Sequence, residues 1–154
     1  MSRSVIKILG LVFLVFVSGC ANIIIPNYIQ DQNPYTKTFY APFEKVHELT
    51  IRAIEDAGWA VQEEADPALF ERGRELVDSG RQQTLVFTKI RQFSFFLGTR
   101  YSRRNVFLRV MADKAVEVEI RHITVTSIMF KTINSYRSDK SVGAIFQKIE
   151  EGLQ

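Results

Sequence analysis

Few residues of this chain could do covalent chemistry. There is one cysteine, Cys20, and there are two histidines, His47 and His122. A metal site needs several His, Cys, Asp or Glu side chains at ligand spacing, and neither histidine sits in such a cluster. The adjacent pairs Glu63-Glu64 and Glu150-Glu151 would point apart along a strand or helix, which makes them poor acid–base couples. No G-x-S-x-G, P-loop, G-x-G-x-x-G or H-E-x-x-H occurs. The expectation is a protein that is not an enzyme, with no catalytic residue, no cofactor and no metal.

A second kind of chemistry is charge recognition. From Arg81 to Arg109 there are seven basic residues and no acidic one. Phenylalanines and a tyrosine interrupt the centre of this run, which contains Gly98 and reads as the end of a hairpin. Phe93, Phe95, Phe96, Arg100, Tyr101, Arg103 and Arg104 form the candidate contact patch. Apolar side chains would enter an interface while arginines meet phosphate or an acidic partner. The alternative is that the phenylalanines are core and the arginines are solvated strand faces.

Cys20 gains meaning from its neighbours. Arg3 and Lys7 are followed by an uncharged run, Ile8 to Val17, and then by Ser18 and Gly19. A basic end, an apolar centre of about 7–15 residues and small residues at the cut make an export signal. The run is shorter than the roughly 20 residues of a membrane-spanning helix. Val17-Ser18-Gly19-Cys20 resembles the lipobox of bacterial lipoproteins. The resemblance implies cleavage before Cys20, lipid on its sulfur and a third acyl chain on its new amino group. Ala21, in place of an Asp, implies sorting to the outer membrane, with the folded part facing the periplasm. The expected partners are therefore the membrane, through the anchor on Cys20, and an envelope protein, with no nucleic acid.

Composition fits one exported domain. The 154 residues suffice for one core and not for two. The net charge of +3 falls by two when Arg3 and Lys7 leave with the signal, so the basic isoelectric point is no argument for nucleic acid. With Cys20 lipidated, no disulfide remains and burial alone must hold the fold.

The expected organisation is a signal at 1–19, the lipidated cysteine and a flexible tether at 20–38, and a single domain at 39–154. Pro26, Asn27, Asn33 and Pro34 oppose a regular helix in the tether. Apolar stripes at three- and four-residue steps predict helices over 42–57 and 139–153. Asp66-Pro67 suggests a short helix over 67–79. Strands are expected at Phe39–Tyr40, Trp59–Glu63, 85–90, 106–111 and from Val116 onward. The in–out parity switches near His122–Ile123, which a bulge or a strand covered on both faces would explain. Together these predict an α+β, two-layer domain, an antiparallel sheet of about four strands covered by an N-terminal and a C-terminal amphipathic helix. That layout over 43–153 resembles the small helix-grip domains of bacterial envelope lipoproteins, BamC among them, which implies scaffolding or binding. The competing expectation is a lipid or small-ligand module with a pocket between sheet and helices.

Overall fold

The computed structural model describes residues 23–71, 81–111, 114–129 and 131–154. The signal and lipobox readings, Cys20 and Ala21 included, lie outside the described residues, as does most of the helix expected at 67–79. Of that helix the structure describes a single 3-10 turn, Pro67–Leu69, capped by the Asp66 carboxylate accepting from the Ala68 amide at 2.9 Å.

The expectation of a four-stranded sheet is corrected. One antiparallel sheet of seven strands dominates, so the described chain is mostly β. Its centre is two thirteen-residue strands, β5 (Gly98–Val110) and β6 (Val116–Ile128), paired without interruption from Gly98↔Ile128 to Val110↔Val116. Each has two successive partners along its outer side. On β5 these are β3 (Gln83–Thr88) and then β4 (Arg91–Phe95); on β6 they are β1 (Tyr35–Phe39) and then β7 (Lys131–Ser135). Strand β2 (Val61–Ala65) completes the sheet beside β3. The sheet thus has a proximal half, β2-β3-β5-β6-β1, and a distal arm, β4-β5-β6-β7.

Two helices, α1 (Phe43–Asp56) and α2 (Asp139–Leu153), lie on one face of the proximal half, as their apolar stripes require. Val46, Leu49, Ala53 and Ile54 of α1 and Val142, Ile145, Phe146 and Ile149 of α2 bury against Val106, Leu108, Val116, Val118 and Ile120. Each aliphatic side chain buried this way stabilises the fold by about 1.5–3 kcal/mol relative to exposure. The interior between these helices and the proximal strands is filled by these side chains.

The opposite face is covered too. Residues 23–34, expected as tether, run along it instead of leaving the domain. Ile29 is fully buried on Ile123 and Val125, with Ile23 and Ile25 alongside. The Ile29 amide donates to Asn105 Oδ1 at 2.6 Å, and Arg103 donates to the Pro26 carbonyl at 3.3 Å. The parity switch at His122–Ile123 has its cause here. The β5–β6 register continues through it, and β6 is covered on both faces at that point.

Candidate functional site

Paired residues of an antiparallel sheet share a face, so the register sorts the expected contact patch. Phe93, Phe95, Arg100 and Arg104 stand on the helix-bearing face; Tyr101 and Arg103 stand on the other. Phe96 lies at the β4–β5 turn, fully exposed, and Phe93 is 66 % exposed. Phe95 and Tyr101 are half-buried and Arg100 is exposed. Arg103 and Arg104 are buried, which removes both from the contact patch. Arg103 is held by the Thr88 carbonyl at 3.1 Å and Gln62 Oε1 at 2.7 Å.

The arm extends past the helices. Leu97 and Met129, at the two hairpin turns, are exposed, and the Met129 amide donates to the Leu97 carbonyl at 3.2 Å. Ile133 on β7 is exposed as well. Gly98 is required where the turns meet, because a Cβ there would fall 1.9 Å from the Ser127 carbonyl oxygen. Among the described residues no strand pairs with the outer side of β4 or β7. The segments 89–102 and 124–138 contain Lys89, Arg91, Arg100, Lys131 and Arg137 and no Asp or Glu.

Where the arm meets the helix layer there is an open groove of about 310 Å³. Trp59 forms its floor. A positive φ at Gly58 turns the chain off α1, with the Gly58 amide donating to the Glu55 carbonyl and the Trp59 amide to that of Ile54. This Schellman turn fixes the indole beneath two arginines. The guanidinium carbons of Arg104 and Arg91 lie 4.4 and 4.8 Å from the indole centroid. Arg104 Nη2 donates to Ser141 Oγ at 2.8 Å, and its Nε faces His122 Nδ1 at 3.4 Å.

Burial, and then the nearby Arg91 charge, lower the Arg104 guanidinium to about 10. Burial, and then Arg104, press the His122 imidazole down to about 4. His122 is therefore neutral at pH 7. With Nδ1 accepting from Arg104, its proton sits on Nε2 and is donated to Thr124 Oγ1 at 2.8 Å. His47 instead pairs with Glu64 of β2 at 2.9 Å, bridging the flank of α1 to the sheet outside the groove.

On the opposite face a second buried arginine has a different environment. Arg121 Nη2 donates to Glu71 Oε1 and its Nε to Glu119 Oε1, both at 2.6 Å, and it also bonds the Tyr28 hydroxyl. Burial alone would lower this guanidinium, but the two carboxylates outweigh it and hold the pKa above its usual value.

Reading the sequence gave no binding role to Trp59, expected only to open a strand, to Ser138, expected only as a helix cap, or to Ser141, Met129 and Ile133. For Trp59 a signal was present, since the only tryptophan follows a helix-ending glycine. Among the described residues no group of three His, Cys, Asp or Glu could hold a metal ion. None of the described helices is long and apolar enough to cross a membrane. No protein-family model matches the chain, and a search of curated proteins returns no match.

Proposed function

We propose that this chain is a lipid-anchored, non-enzymatic accessory protein of a bacterial envelope complex, facing the periplasm from the outer membrane, whose distal arm docks an extended acidic segment of a partner protein. The observation that carries this reading is the arm itself. Phe93, Phe96, Leu97, Met129 and Ile133 are left in water on an arm whose outer strands, β4 and β7, pair with no further strand among the described residues. A large apolar side chain left exposed forgoes about 1.5–3 kcal/mol, and an exposed apolar group rimmed by polar residues marks an interaction surface.

The edges favour a protein over a bilayer as occupant. Hydrocarbon would leave the free N–H and C=O groups of β4 and β7 unsatisfied, whereas an added strand pairs with them. Five basic residues without an acidic one favour a partner segment rich in Asp and Glu. Anchoring rests on Arg3, Lys7, the apolar run and Val17–Cys20.

A photo-crosslinking residue at Phe96, compared with one at Lys140 on α2, tests the docking. Protein adducts at 96 and absent at 140, lost when Arg91 and Arg100 become Glu, are the expected result. Adducts to lipid alone, or equal protein adducts from both positions, would overturn it. The anchor is tested separately with labelled palmitate, which should be incorporated by the native chain and not by Cys20→Ser.

A further inference from the structure

The groove on Trp59 shares Arg91, Phe93 and Arg100 with the base of the arm, but it needs neither the exposed tip at Phe96 nor the anchor. Arg104 is fully buried, yet among the described residues no carboxylate pairs with it. Its Nη1 has no hydrogen-bond partner, and neither has the buried Nε1 of Trp59. Both unpartnered atoms are donors. Arg91 and Arg100 line the same groove, and among the described residues no acidic one does. Hydroxyls of Ser102, Thr124, Ser138 and Ser141 ring it from sheet and helix.

The start of α2 adds to this. Ser138 is the N-cap residue but makes no side-chain capping bond. Its Oγ instead takes a bond from Arg104 Nη2 at 3.4 Å, while the first-turn carboxylate of Asp139, outside the groove lining, accepts from the Tyr35 hydroxyl at 2.6 Å.

We propose that this groove binds a phosphate group, with Arg91, Arg100 and Arg104 as its cationic donors and Trp59 as its floor. Three cations and donors arriving from several directions suit a tetrahedral oxyanion of up to two negative charges. A carboxylate offers one charge and two coplanar oxygens, which a single arginine satisfies. A free phosphate, a phosphate ester of a small soluble molecule and a lipid head group share this chemistry.

Trp59, as the only tryptophan, reports the test directly. The full chain in a non-ionic detergent is titrated with inorganic phosphate at constant ionic strength, with sodium chloride as control. A saturable change in Trp59 fluorescence is expected, with affinity about tenfold weaker in Arg100→Gln and in Arg91→Gln, as for loss of one charge-assisted contact. Arg104→Met should abolish the change; the other two variants keep the test decisive should that one fail to fold. Absence of saturation, equal affinity in the native chain and both Gln variants, or acetate binding as tightly as phosphate would overturn the proposal. Glycerol 3-phosphate and micelles doped with phosphatidylglycerol separate the sources. Tighter binding to the doped micelles assigns a lipid head group, and equal or tighter binding of the free ester assigns a soluble one.

Discussion

Arg104 and Arg121 stand on neighbouring strands of one sheet, both buried, on opposite faces. Arg121 is clamped between Glu119 and Glu71. Arg104 rests on an indole among hydroxyls and a neutral imidazole, with no carboxylate. A buried charge is costly unless paired, so the second environment is tolerable chiefly where a mobile anion supplies what the fold does not. The first arginine fastens the covering segment 23–34 through Tyr28 and the Ile29 carbonyl. The second reaches only neutral partners, His122 and the hydroxyls of Ser138 and Ser141.

The same substitution at both positions should break the comparison apart. Arg121→Met strands two buried carboxylates and should cost about 3–5 kcal/mol in chemical denaturation. An effect below 1 kcal/mol would show that the clamp does not need its cation.

Next in size is a pH effect confined to the groove. The folded His122 pKa of about 4 lies below the ordinary value of 6.5, so folding disfavours the protonated ring. Its contribution is fully present above pH 6.5 and is lost as pH falls from 6.5 toward 4. His122→Asn should flatten that part of the stability profile. In Arg104→Met the imidazole should titrate closer to 6.5, read by NMR; an unchanged midpoint would mean the arginine does not act on the ring.

Smaller than the loss at Arg121, Arg104→Met should cost about 1 kcal/mol, because the partners it leaves, two serine hydroxyls and a neutral imidazole, carry no charge. A loss as large as at Arg121 would make the two sites equivalent. At the tip, Phe96→Asp should stay within about 0.5 kcal/mol of the native chain while losing partner adducts, since the ring touches water alone.

Both helices and the proximal parts of β5 and β6 were legible because burial on one side writes a period into the residues. Val142, Ile145, Phe146 and Ile149 show it, as do Val116, Val118 and Ile120. Strand β7 was not, since every position on it is exposed and nothing imposes alternation, and of β4 only the hairpin end near Gly98 showed. That is why a count of about four strands fell short of seven. Tyr35 marked β1 only weakly among the prolines and asparagines around it. Phe93 and Phe96 could be picked out as contact residues because aromatics amid arginines are conspicuous. Arg103 and Arg104 looked the same in sequence, and their burial follows from partners far away in the chain, Pro26, Gln62 and Ser141.

The seating of Ile23 and Ile29 on the sheet also sets a radius of action. If Cys20 carries lipid, as proposed, the chain from Cys20 to Ile23 spans at most about 10 Å between bilayer and folded body. A leash so short would allow no sweep across the periplasm. Any partner would then have to come to the membrane to be met.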